Sequence, residues 1–153
     1  MTNKRTYLDK MMAKHSFKQF DKGARSSFSY WFNHWKAFNL TAYYLGVWKF
    51  KYLFHDIEKP WMKLFCDYKT VQKWHRTHNR HHAQYKGGIG KIDWEGLIID
   101  NECSRYTKKN AQLNATDYVD FVINEKKDVS EELRQAYIEN AYKVLHKFDL
   151  HND

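Results

Sequence analysis

The chain is poor in the residues that interrupt helices, with one proline and six glycines among 153 residues. That scarcity argues against a turn-rich β fold and for helices. Only two cysteines are present, Cys66 and Cys103, too few for a disulfide framework. No apolar run approaches the ~18 residues that a membrane-spanning helix needs. The first seventeen residues carry Lys4, Arg5, Asp9, Lys10 and Lys14 and no apolar stretch, unlike a secretory signal. These absences predict a cytoplasmic protein with no membrane partner. The length suits a single domain over residues 1–153 with a real core.

Acidic groups are scarce in the first part of the chain. Residues 1–91 carry 18 Lys and Arg against 5 Asp and Glu, whereas residues 92–153 carry 8 against 13. A basic half attracts anions such as nucleotides, nucleic acid or phosphate esters. Solvated helix faces account for the same charge equally well.

Aromatic residues, by contrast, are abundant at 18% of the chain. Rings such as Trp31, Trp35, Trp48, Trp61 and Trp74 can stack nucleobases, but core packing is the expected use. Helices are predicted over residues 6–20, 27–38 and 41–57, the last with Asn39 or Thr41 as cap. In the third of these, Tyr44, Leu45, Trp48, Tyr52 and Phe54 keep a helical rather than an alternating period. Pro60 stops it. A further helix is predicted from about Thr70 to Tyr85, ended by Gly87, Gly88 and Gly90. Others are expected over 93–108, in a short segment capped by Thr116, and from Asp128 or Ser130 to Phe148. The predicted fold is all-α, a bundle of about six or seven helices.

Histidine is the second abundance. Six of the nine lie between His34 and His82, four of them in WHRTHNRHH (residues 74–82). At about 100° per residue, His75, His78 and His82 fall within roughly 60° of one another on a helix. Several buried neutral imidazoles cannot satisfy one another's nitrogens, but each can donate a lone pair to a metal ion. A solvent-facing stripe of scattered histidines is the competing interpretation. On this phase His78 and His82 reach a common ion, His81 points aside toward a supporting or substrate contact, and His75 can do either. Asp56, in the pair His55-Asp56, is expected at a helix C-terminus, where a carboxylate opposes the dipole and a cation offsets it.

His34, then His55-Asp56, then a distal aspartate resembles the H…HD…D signature of the HD-domain superfamily. Those proteins are all-helical and metal-dependent, and mostly phosphohydrolases. The chain is also similar to a small bacterial and phage family of unknown function, through HDIEK (55–59), WHRTHNRHH (74–82) and IIDNECSR (98–105). The similarity covers about residues 30–110. It departs from that pattern at Glu58, where serine is expected, and at His75, which directly follows Trp74. The resemblance implies an HD-like domain in which His34, His55, Asp56 and Asp100 hold one metal, while His78 and His82 add ligands for a second. Glu102 and Asp93 are rivals to Asp100.

Such a set suits one or two divalent ions of Mn, Fe, Co, Ni or Zn. The implied activity is hydrolysis of a nucleotide or another anionic phosphoester, in a host's cytoplasm if the gene is a phage's. Asp56, Lys59 and His81 are then candidate catalytic groups. Lys59, Lys73, Arg76 and Arg80 are candidate anion contacts. Two other readings keep the residues and change the chemistry. One is a di-iron oxygenase related to myo-inositol oxygenase, and the other is a basic nucleic-acid-binding module.

Overall fold

The computed structural model describes residues 3–110 and 113–152. It is 66% helical, and its described residues contain no strand, only one isolated bridge between Phe20 and Lys108. The helices are α1 (Lys4–Met12), α2 (Phe28–Tyr44), α3 (Glu58–Met62), α4 (Tyr68–His78), α5 (Trp94–Thr107), α6 (Ala115–Asn124), α7 (Glu131–Ala136) and α8 (Tyr142–Lys147). A π turn, Tyr137–Ala141, joins α7 to α8 without a break, so these eight segments make seven rods. The all-α bundle expected from the scarcity of breakers is the observed architecture. No helix among the described residues is long and apolar enough to cross a membrane.

Side-chain caps start most of the helices by satisfying amide donors that have no intrahelical partner. Asn3, Ser27, Asp67, Asp93, Asn114 and Ser130 each accept a backbone N–H at the start of α1, α2, α4, α5, α6 and α7. At α6 the cap is Asn114, in a reciprocal box with Asp117, not the expected Thr116. Thr116 instead accepts from Arg5 and donates to the Leu150 carbonyl.

Besides the helix expected over residues 6–20, which instead covers Lys4–Met12 with a 3-10 turn at Ala13–His15, two predicted helices are corrected. Residues 41–57 do not form one helix. α2 runs through Asn39 and Thr41 to Tyr44, the chain turns at Gly46 with φ of 77°, and a short 3-10 turn covers Phe50–Phe54. Asn39 is an interior pin, not a cap. Its amide donates to the carbonyls of Trp35 (3.0 Å) and Tyr52 (2.9 Å), and its oxygen accepts from Trp48 Nε1 (2.9 Å). Those bonds fold the segment after α2 back along the helix.

The second correction concerns residues 70–85. α4 ends at His78, because Asn79 takes an extended conformation (φ −108°, ψ 130°). The side chain of Asn79 is committed to Glu58 Oε1 and the His75 carbonyl, both at 3.0 Å.

α2 and α5 pack most extensively against each other and form the spine of the molecule. The core around them contains Leu8, Met12, Phe38, Ile98, Ile99, Val119, Tyr137, Leu145 and Phe148, all buried. Each such side chain contributes about 1.5–3 kcal/mol by leaving water. The tryptophans expected in this core are mostly elsewhere. Trp48, Trp61 and Trp74 are exposed, and Trp31 and Trp35 are half-buried. An indole N–H needs a partner when it is covered. Here Trp31, Trp35 and Trp48 donate to the Asp56 carbonyl, the Leu53 carbonyl and the Asn39 amide oxygen. These rings brace the segment after α2 and do not fill the centre.

Candidate metal centre

Several elements converge on one point between α2 and α5. α2 supplies His34, the end of the 3-10 turn supplies His55 and Asp56, α4 supplies His75, and the loop after α4 supplies His81 and His82. α5 supplies Asp100. Adjacent residues on a helix point about 100° apart, so His55 and Asp56 could not both face inward from a regular helix. The backbone solves this by leaving the helix. His55 has ψ of 122° and Asp56 has φ of 56°. A left-handed non-glycine residue is uncommon, and aspartate and asparagine tolerate it best. The Trp31 indole holds this conformation by donating to the Asp56 carbonyl at 2.8 Å. Phe38 lies flat against the His55 ring, with centroids 3.6 Å apart, and fixes its plane.

The donor atoms form two groups that share one carboxylate. In the first, His34 Nε2 lies 2.8 Å from Asp100 Oδ1 and 3.4 Å from His55 Nε2. His55 Nε2 lies 3.3 Å from Asp100 Oδ1 and 3.5 Å from Asp56 Oδ2. In the second, Asp56 Oδ1 lies 3.1 Å from His75 Nε2 and 3.2 Å from His81 Nε2, while His82 Nε2 lies 2.9 Å from His75 Nε2. Bonds of ~2.1 Å to one ion put neighbouring donors about 3.0 Å apart in an octahedron and about 3.4 Å apart in a tetrahedron. The observed separations match the edges of such polyhedra.

Satisfaction of the polar atoms makes the same case. Among the described residues, Asp56 Oδ1 and His81 Nε2 are buried without a hydrogen-bond partner. Leaving such atoms unpaired is costly unless a cation takes their lone pairs. The buried histidine and aspartate groups therefore fit a metal ion, with combinations such as His34, His55 and Asp56, or His75, His81 and His82, close enough to share one.

The electrostatics of the cluster favour ligand-ready forms. Burial pushes the His34 imidazole below its ordinary value, against the pull of Asp100. Burial, with His81 beside it, lowers His82 to about 2. Both rings are neutral at physiological pH. Burial alone would raise the two carboxyls, but their neighbours outweigh it. His55, Lys59 and His75 hold Asp56 well below the usual carboxylate range, and hydrogen bonds from His34 and His55 do the same for Asp100. Lys59 Nζ lies 3.2 Å from Asp56 Oδ2. Burial would lower its pKa, yet Asp56 and Asp100 raise it, so the ammonium stays charged. Burial and Asp100 push the Cys103 thiol up. Its Sγ donates to the Asp100 carbonyl at 3.3 Å, so it braces α5 beside the cluster.

The candidate residues divide clearly. His34, His55, Asp56, His82 and Asp100 come together, and His81 joins them through its ring nitrogen. His78 does not. Its ring stacks on Trp74 with centroids 4.2 Å apart, and Nδ1 bonds the Trp74 carbonyl at 2.9 Å. Because α4 stops at His78, the helical phase that paired it with His82 does not reach residues 81 and 82. His75 takes the inward place instead. The rivals of Asp100 are occupied elsewhere. Glu102 pairs with Arg5 at 2.7 Å, and Asp93 caps α5 and meets Lys51 at 3.1 Å.

Sequence reasoning assigned no role to Glu58 at the centre. Its carboxylate accepts from His75 Nδ1 and from Asn79. That bond fixes the orientation of the ring, with Nε2 turned toward Asp56 at 3.1 Å. The signal was present in the departure from serine at this position.

Lys59, Lys73 and Arg76 line one cavity of about 510 Å³ whose floor includes His34, Asp56, His75, His82 and Asp100. Lys22, Arg25, Lys69 and Lys108 add to its basic walls. Arg80 is not among them. Its Nε donates to the Lys91 carbonyl at 2.7 Å, and it borders a separate cavity on the His81 side. Comparison of the chain with protein-family models, with curated proteins and with solved structures finds no significant match.

Proposed function

We propose that the chain is a metal-dependent phosphohydrolase with a pair of divalent ions, acting on an anionic phosphoester. The observation that carries this reading is the placement of Asp56. Its two oxygens face two separate donor groups, at the floor of a cavity walled by seven basic side chains: Lys22, Arg25, Lys59, Lys69, Lys73, Arg76 and Lys108. His34, His55, Asp56 and Asp100 would hold one ion, and Asp56, His75, His81 and His82 the other. Mn, Fe, Co, Ni and Zn all suit such nitrogen and oxygen donors.

Bound there, two divalent ions supply Lewis-acid polarisation of a phosphoryl oxygen and a nucleophile at neutral pH. The chain's own groups do the rest. Lys59 carries its charge beside Asp56, where it neutralises a phosphoryl group on the cavity floor. Lys73 and Arg76 hold the outer part of the anion from the α4 side. Glu58 keeps the His75 ring in the orientation that presents Nε2. On this reading His81 serves as a ligand, not as the supporting group its expected helical phase suggested.

The basic cavity favours a phosphoester over the substrate of an oxygenase, which needs no such concentration of positive charge. Purified protein should release phosphate from a panel of phosphomonoesters and nucleotides in the presence of Mn, and a chelator should abolish the release. Salt-dependent nucleic-acid binding that survives chelation, with no turnover on the panel, would contradict the proposal and favour a binding module.

A further inference from the structure

The basic cavity has a second arm of opposite character. A cavity of about 320 Å³ meets it along a shared boundary of Arg25, Tyr30, His34, Asp56, Lys59 and Tyr68. Beyond that boundary its walls are mostly apolar, with Phe28, Trp31, Pro60, Leu64 and Val71 beside Ser26, Ser27 and Lys63. The two arms therefore open onto the same carboxylate and the same ammonium, one arm basic and the other apolar.

Three polar groups of the apolar arm, those of Ser27, Trp31 and Lys63, are already engaged, and Arg25 Nε, which has no hydrogen-bond partner among the described residues, lies at the boundary with the basic arm. The Ser27 hydroxyl donates to the Ala24 carbonyl at 2.9 Å and accepts from the Tyr30 amide at 3.1 Å. Trp31 Nε1 is bonded to the Asp56 carbonyl, and Lys63 Nζ to the Ser26 carbonyl. A nucleobase placed here would lose water from its ring nitrogens and exocyclic groups without gaining these partners, and that costs affinity. A hydrocarbon group loses nothing of the kind. The arm is also large enough, since about 150 Å³ of apolar cavity accommodates a benzene ring. Phe28 and Leu64 stand 62% and 70% exposed at its rim, and a ligand there would cover them.

We propose that the substrate is a phosphomonoester carrying an apolar aromatic or alkyl group, not a nucleotide. The phosphoryl group sits over Asp56 and Lys59, and the apolar group enters the arm lined by Phe28, Trp31, Leu64 and Val71. This assignment rests on the phosphoester reading above and narrows it.

The test is calorimetric titration of the protein with methylphosphonate, phenylphosphonate and adenosine monophosphate. Covering a phenyl ring should make phenylphosphonate bind at least about tenfold tighter than methylphosphonate. It should also bind more tightly than adenosine monophosphate. The double variant Phe28→Ser/Leu64→Asn alters two exposed positions outside the donor cluster. It should lose most of the phenyl advantage and keep the wild-type affinity for methylphosphonate. Equal binding of the two phosphonates by the wild-type protein, or a phenyl advantage untouched in the double variant, overturns the arm assignment and leaves the phosphoester reading standing. Tighter binding of adenosine monophosphate than of phenylphosphonate overturns the preference against nucleotides. Failure of all three ligands to bind overturns both proposals.

Discussion

Among single residues, Glu58 and His78 show how side-chain chemistry sorts the candidate site. Glu58 lies at the edge of the donor cluster, close to Asp56 and bonded to His75, and that bond determines which nitrogen of the ring faces Asp56. Second partners of this kind typically change metal affinity by about 10–100-fold. Glu58→Ala should weaken metal binding by that order, measured by competition with a chromogenic chelator. Glu58→Gln keeps an accepting oxygen and should recover part of the loss. Wild-type affinity in Glu58→Ala would show that the carboxylate does not support the centre. The His55-Asp56 pair and the choice of Asp100 were legible in the sequence, because two vicinal donor types and a distal carboxylate form a recognisable pattern. The exclusion of Glu102 was not, because it depends on a partner, Arg5, that lies 97 positions away.

Segment boundaries are where the sequence pattern misleads. The apolar positions of residues 41–57 do repeat with a helical period, but Gly46 supplies a left-handed turn and Asn39 ties the returning segment to α2. Glycine in such a place is a recognised stop signal. In the same way Asn79 ends α4, and the four histidines of residues 75–82 then sit on two elements, not one stripe. The helical content itself was readable from the lack of breakers.

Contacts between distant segments are tested at Arg5 and Glu102. This buried pair, 2.7 Å apart, links α1 to α5. Glu102 Oε2 also accepts the Ala115 amide at 2.9 Å at the start of α6, and Arg5 donates to the His151 carbonyl at 3.0 Å. Removing Arg5 still leaves Glu102 with Arg105 Nη1 at 3.2 Å, so the cost is about 1–3 kcal/mol, below the ~3–5 kcal/mol of a wholly uncompensated buried charge. Arg5→Ala should lower stability to chemical denaturation by that amount. The double variant Arg5→Met/Glu102→Leu should recover much of it. A neutral Arg5→Ala would show that the pair does not hold these ends together.

On the scale of the whole molecule, the spine of α2 and α5 carries His34 and Asp100, while the more irregular stretch from His55 to His82 carries the remaining donors. A rigid pair of helices thus faces a segment with unusual backbone, the arrangement in which precise donor placement and local strain coexist. The charge asymmetry of the chain finds its place here too. Lys22, Arg25, Lys59, Lys69, Lys73 and Arg76, from the basic first part, line the cavity above the donors. The central claim is that Asp56 joins two donor groups from which His78 is excluded. Its most direct test is the metal content of wild-type, Asp56→Ala and His78→Ala proteins, purified identically and analysed by mass spectrometry of the elements. Bound divalent metal is expected in the wild-type and His78→Ala proteins, and its loss in Asp56→Ala. Wild-type metal content in Asp56→Ala, or loss of metal in His78→Ala, would contradict that claim.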